Sequence, residues 1–217
     1  MTRPLPPLAI KAPRVNYHPK VLESFTGDTD QHGMNILLDQ GVYRHVRFQK
    51  ESGSSMYWFD LITTPGLLTI NGDMGTYTFS REHDMFPWFN SGYVNEGYWS
   101  QKLRASDHRP NHSIREFDDD TFRRFVIEDF WERRVDESPV FAAAVWRAIK
   151  DELIGVYVLP DDQREAIEKL DQFDCGGWTY SEPWEHDFTK PDYTYLWNLH
   201  AILWGIQRYY AAKEEQP

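Results

Sequence analysis

Residues 42–80 hold four apolar runs: Val42-Tyr43-Arg44-His45-Val46-Arg47-Phe48, then 57–64, 67–71 and 76–79. Each is closed by glycine, proline, serine or asparagine. β-Branched and aromatic residues fill the runs, and such residues favour strands. Four runs with three short connections read as an antiparallel β-meander. No other feature constrains the fold as much, because a meander must bury at least one face against another layer. Thr64-Pro65-Gly66 suits a type II turn, and Asn71-Gly72-Asp73-Met74-Gly75 closes the third hairpin. In the second strand Tyr57, Phe59 and Leu61 share one face, while Trp58, Asp60 and Ile62 share the other. Both faces are substantially apolar, so each is expected to be covered at least in part.

The covering layer is predicted to be helical and to come mostly from the C-terminal half. Phe122, Phe125, Val126 and Phe130 form one stripe behind Asp118-Asp119-Asp120. Ser138-Pro139 caps the next helix, with proline at its first position. Its stripe of Phe141, Ala144, Val145, Ala148, Ile149 and Leu153 has the cleanest 3.6-residue period in the chain. Pro160-Asp161-Asp162 opens a helix to about Phe173. A last helix, 192–212, carries Leu196, Leu199, His200, Leu203 and Trp204 along one side, which makes His200 a core histidine. Ser80-Arg81-Glu82-His83 fits a capping box with histidine at the third position, opening a short helix. One more helix is expected around 97–105, with a loop at 107–112. The pieces Val21-Leu22 and Ile36-Leu37-Leu38, separated by turn chemistry, are left unassigned.

The fold class is therefore α+β: a four-stranded antiparallel meander at about 42–80 packed against several helices. Residues 1–20 hold five of the thirteen prolines and read as an extended arm. Residues 21–217 read as a single domain, with the sheet at 42–80 and an acidic helical region at 116–213.

Charge is divided unevenly. The formal net charge is −11. Residues 1–50 have seven Lys/Arg against four Asp/Glu, whereas 116–187 have eight against twenty. That balance argues against direct nucleic-acid binding, which needs a basic surface. The single cysteine, Cys175, cannot close an internal disulfide, which fits a reducing compartment. No apolar leader and no membrane-length apolar run is seen, so a cytoplasmic location without a membrane partner is expected.

The order of motifs from 42 to 99 carries a resemblance. A strand ending His45-Val46-Arg47-Phe48 precedes Trp58-Phe59-Asp60-Leu61-Ile62-Thr63-Thr64-Pro65-Gly66. Then come Gly72-Asp73-Met74-Gly75-Thr76-Tyr77-Thr78-Phe79-Ser80-Arg81, Asp84-Met85-Phe86-Pro87-Trp88-Phe89, and Gly97-Tyr98-Trp99. This resembles a family of uncharacterised proteins of tailed bacteriophages and prophages, over about a third of the chain. The resemblance implies a phage protein at work in the cytoplasm of a bacterial host. It implies no reaction, cofactor or catalytic residue.

Several residues are singled out by their own chemistry. Asp60 lies among aromatics, so its carboxylate must be paired, and Arg44, Arg47 and Arg81 are the partners in range. Asp73, in a glycine-flanked turn, could sit beside exposed backbone N–H groups. Trp58, Tyr77 and Arg81 could stack and clamp a nucleotide. Glu82-His83-Asp84 and Glu185-His186-Asp187 are identical tripeptides of metal-ligand type but match no defined spacing. Asp118, Asp119 and Asp120 favour a helix N-terminus and could join an acidic surface that imitates phosphates.

The motifs of nucleotide hydrolases, dehydrogenases, zinc enzymes and serine hydrolases are all missing. With the setting that the resemblance implies, these absences and the pairing of acidic charge with surplus aromatics suggest a phage accessory protein that acts by binding, with no cofactor and no metal expected. Its expected partner is a host protein, as for an inhibitor of a defence nuclease, or a small nucleotide signal. Two alternatives stand beside this reading, a small metal-dependent nucleotide hydrolase and a virion or assembly component. An oligomer is compatible with the sequence.

Overall fold

The structure is a computed structural model and describes residues 18–107 and 114–214. The first 17 residues of the proline-rich arm lie outside the described residues, as do His108 and His112. Helix α1 (Pro19–Asp28) leads into β1 (His32–Gln40), β2 (Tyr43–Lys50), β3 (Phe59–Thr64), β4 (Leu67–Gly72) and β5 (Gly75–Phe79). Helices α2 (Met85–Phe89) and α3 (Glu96–Ser100) precede β6 (Leu103–Ser106) and β7 (Arg115–Phe117). Helices α4 (Asp119–Arg133), α5 (Pro139–Ile149) and α6 (Gln163–Gln172), strand β8 (Thr189–Pro191) and helix α7 (Tyr193–Glu214) follow.

The α+β class holds, but the meander has six strands rather than four, in the order β1 to β6 with every pair antiparallel. β2 to β5 fall where the turn residues put them. Gly66 has φ +80, as the third position of a type II turn requires. The two extra strands flank the four. β1 comes from the unassigned 20–40 stretch. β6 replaces the second half of the helix expected at 97–105, which stops at Ser100. The expected capping box at Ser80 is not used either. α2 begins at Met85, and Asp84 caps it by accepting the Phe86 N–H at 3.1 Å.

The chain gathers into two compact units, Met1–Ile114 with Asp192–Pro217, and Arg115–Pro191. In the first unit Val46, Phe48, Phe59, Leu61, Leu68, Ile70, Tyr77 and Phe79 face the core. Helix α7 lies against this face, α2 packs on both β4 and α7, and α1 packs against α7. Every residue of α7 from 195 to 206 is buried. The single apolar stripe read from the sequence is thus one side of a helix apolar nearly all round, the pattern of a core helix. Asp192 starts it by accepting the Tyr195 N–H at 3.0 Å.

The second unit has its own core of Phe122, Val126, Phe130, Val145, Ile149, Leu170, Trp178 and Phe188. Ser138 caps α5 from Oγ to the Phe141 N–H at 3.2 Å, with Pro139 in its first turn, as the sequence predicts. Asp162 caps α6 at 2.8 Å. Cys175 sits half-buried in a tight turn that Gly176 and Gly177 close at positive φ. Among the described residues no helix is long and apolar enough to cross a membrane.

Candidate functional site

The sheet face turned away from α7 is built in cross-strand rows. Leu38, His45, Ile62, Thr69, Thr78 and Ala105 stand in register across six strands. Beside them Asn35, Arg47, Asp60, Asn71 and Thr76 stand across five. Asp60 is only 3% exposed on a face whose other residues are half-buried or exposed. An unpaired buried charge is costly, and the neighbouring strand supplies the remedy. Arg47 donates Nε to Oδ1 and Nη2 to Oδ2, both at 2.8 Å, and His45 Nε2 lies 2.8 Å from Oδ2. Burial alone would raise the Asp60 pKa. The hydrogen bonds from Arg47 and His45 outweigh it and hold the carboxyl below its ordinary value.

Arg47 also lies over the Trp58 ring at 5.1 Å, a favourable cation–π contact. The Thr69 and Thr78 hydroxyls meet at 2.9 Å, and Thr76 Oγ1 donates to Asn71 Oδ1 at 2.8 Å. Cross-strand pairs of this kind stabilise a sheet. They leave a largely polar surface, with Leu38, Ile62 and Ala105 among the polar groups, whose polar side chains hold one another in place. An ionised carboxylate already occupied by Arg47 and His45 positions those two groups, and it is poorly suited to take a proton from a substrate.

Trp58 and Asp60 are thus brought together, with Arg47, on one face. The remaining residues expected at a site are not. Tyr77 points into the core, 6% exposed, with its hydroxyl 3.1 Å from Thr194 Oγ1. Arg81 follows the opposite end of β5 and lies beside Glu82 at 3.6 Å. Trp58, Tyr77 and Arg81 therefore form no common nucleotide clamp. Asp73 accepts the Tyr57 N–H at 2.9 Å and so supports Tyr57 at φ 60, a backbone region that bulky residues avoid. Asp84 is a helix cap and the partner of Arg44, whose hydrogen bonds push its pKa down. His83 is exposed, and its carbonyl accepts the Gly66 N–H.

In the second unit the carboxylates of Asp118, Asp119 and Asp120 gather within 4.8 Å, a donor set that suits a hard cation. Asp118 is already engaged, accepting from Thr121 Oγ1 at 2.6 Å and pairing with Lys190 at 3.5 Å. The three acids also favour the α4 N-terminus electrostatically. Of the two identical tripeptides, one belongs to each unit. Asp187 of the second binds Arg115 and Thr189.

The structure adds groups that the sequence does not single out. Asp129 interacts with Arg133, Tyr180 and His186, and Arg133 and Tyr180 also meet the buried Trp178. Arg133 reaches Asp129 at 3.0 Å and stacks 4.0 Å over the Trp178 ring. Burial raises the Asp129 pKa in spite of Arg133 and His186. Asp129 and Arg133 are four residues apart on α4, a spacing that could have marked the pair. Nothing in the sequence joins Tyr180 to them. In the first unit Phe25, Tyr93 and Trp204 line an apolar crevice with His200. Its volume is about 20 Å³, room for about one water and far too little for a nucleotide.

The units differ most in charge. Arg115–Pro191 holds twenty Asp/Glu and ten Lys/Arg, a formal −10, while the other unit holds fourteen and thirteen, a formal −1. No family model matches the chain, and neither does any curated protein or solved structure.

Proposed function

We propose that this chain is a binding protein whose acidic unit, Arg115–Pro191, occupies a basic surface on a protein partner. The division of charge carries this reading, with nearly all of the formal −11 concentrated in one compact unit. Such a field draws in a basic partner and speeds encounter. Trp131 and Trp184, 50% and 61% exposed, add side chains of the type that anchors interfaces. Asp119 and Asp120, the exposed members of the Asp118-Asp119-Asp120 run, belong to this surface as phosphate-like charge.

The resemblance to bacteriophage proteins supplies the setting, a bacterial host cytoplasm. The partner is then a host protein whose basic channel normally holds nucleic acid, such as a defence nuclease. Occupying that channel would disarm it.

The test compares the wild type with a chain carrying Asp119→Asn, Asp120→Asn, Glu128→Gln and Glu132→Gln, all at exposed positions. Each is used to capture proteins from infected bacteria, with elution by salt and identification of what is released. A nucleic-acid-binding host protein should elute at moderate salt, compete with added DNA, and be lost with the variant. The reading fails if nothing is retained, or if the partner resists salt and binds the variant equally.

A further inference from the structure

The six-stranded sheet has two edges, β1 and β6. An edge strand presents unpaired N–H and C=O groups, and proteins guard it by brevity, by lysine or proline, or with a bulge. β6 is guarded in this way. It has four residues, with Arg104 inside it and Lys102 just before it.

β1 is guarded far less. It runs nine residues, and positions 32–38 include no Lys, Arg, Asp, Glu or Pro. Its bulge comes late, at Leu37, so residues 32–36 keep unbroken register with β2. Leu37 and Leu38 are 48% and 40% exposed. Two adjacent exposed leucines beside a regular edge that, among the described residues, no other strand pairs mark a docking surface.

We propose that a second copy of this chain docks there, β1 against β1 and antiparallel, so that two six-stranded sheets join into one of twelve strands. Three features select a copy over a different partner. Two identical strands paired antiparallel are related by a two-fold axis, so the contact is self-complementary and closes at two. The pairing segment is uncharged, so no like charges face each other across the axis. The unit that carries β1 has a formal charge of only −1, so that unit itself adds little repulsion at the contact. Once β1 is paired, each end of the joined sheet is a guarded β6, and growth into a fibre stops. This inference does not rest on the binding function proposed above.

The experiment is light scattering coupled to size exclusion on the full chain, from low to high micromolar concentration. The wild type should reach twice the mass of one chain as concentration rises. A chain with Leu37→Lys and Leu38→Lys should stay monomeric throughout; at low concentration, where the wild type is also monomeric, the two should share a thermal midpoint because both side chains are exposed. If circular dichroism shows that this variant is unfolded, Leu37→Lys alone takes its place, at the bulge residue that has no register partner in β2. A wild type that stays monomeric overturns the proposal. A dimer that survives the lysines, or an open series of higher oligomers, overturns it too.

Discussion

The Arg44 guanidinium holds the Asp84 carboxylate through two hydrogen bonds of 2.8 Å, joining strand β2 to the cap of helix α2. Arg44 lies 4.7 Å over the Phe86 ring and 5.7 Å from the Tyr209 ring. Tyr209 donates to Asp39 at 2.8 Å, and Asp39 also pairs with Lys213. One network thus ties β1, β2, α2 and α7. The central pair is unequal, because the Arg44 side chain is 9% exposed and that of Asp84 29%. Removing Asp84 strands a buried cation, whereas removing Arg44 leaves a carboxylate that can reach water. Asp84→Ala should therefore cost about 3–5 kcal/mol, cap included. Arg44→Met should cost about 1–2 kcal/mol. Urea unfolding of both variants measures the difference, and a larger loss for Arg44→Met would refute the argument.

Gly205 lets α7 approach the sheet. A Cβ there would come within 2.8 Å of Leu61 Cδ1 and 3.0 Å of Phe48 Cε2. Alanine in a helix interior normally gains about 1 kcal/mol over glycine. Overpacking a tight core costs about 1–3 kcal/mol, and Leu61 and Phe48 are both fully buried. Gly205→Ala should therefore lower the thermal midpoint, against its helix propensity. A raised midpoint would mean that the two side chains yield easily.

Local signals account for what the sequence reveals. β2 to β5 are legible because glycine, proline, asparagine or serine lies at or near their boundaries and β-branched and aromatic residues fill the interiors. β1 is not, because the bulge at Leu37 breaks the alternation that marks a strand. β6 hides behind the helical start at Glu96 and has only four residues. The two units are invisible in order along the chain, because the first is assembled from both ends of it. At the site, Asp60 announces its need for a partner, and Arg47 lies among the three arginines in range. Arg44 is one residue out of phase with the Asp60 face and goes to Asp84 instead. Alternation also separates Trp58 from Tyr77, which a pocket drawn from sequence proximity overlooks.

His200 gives the fold a pH dependence of definite sign. Burial, with a smaller effect from His18, pushes its pKa down to about 4. In the unfolded chain it lies near 6.5. Between those values the unfolded chain binds a proton that the folded chain refuses, so stability falls as pH drops from about 6.5 to about 4. The loss amounts to about 3 kcal/mol. His32, also lowered by burial, adds to the same trend. Asp39, Asp60 and Asp84 act in a lower window. Their pKa values are depressed, so their contribution is present above about pH 3.9 and lost as pH falls through the folded values. His200→Leu should flatten the urea midpoint between pH 6.5 and 4. An unchanged slope would assign the effect to other groups.

The acidic unit begins and ends on one ladder, with Arg115 opposite Pro191, Glu116 opposite Lys190, and Phe117 opposite Thr189. A continuous segment with its own core and paired ends can be excised by cutting the chain at only two places, 114/115 and 191/192. Residues 115–191 expressed alone should therefore unfold in one cooperative step. At a formal −10 the isolated unit repels itself. Added salt screens exposed charges beyond about 10 Å at 0.1 M, so its thermal midpoint should rise with ionic strength. The unit also holds favourable pairs, including Arg133–Asp129 at 3.0 Å and Arg164–Glu168 at 2.8 Å. Exposed pairs of this type are worth at most about 1 kcal/mol each, and ten surplus acids should outweigh them. Circular dichroism melts at low and high salt decide the matter. A broad, non-cooperative melt would mean that the core needs the rest of the chain. A midpoint that falls with salt would mean that local ion pairs, rather than the net field, dominate the electrostatics of this unit, and the same finding would weaken the case for a charge-driven partner.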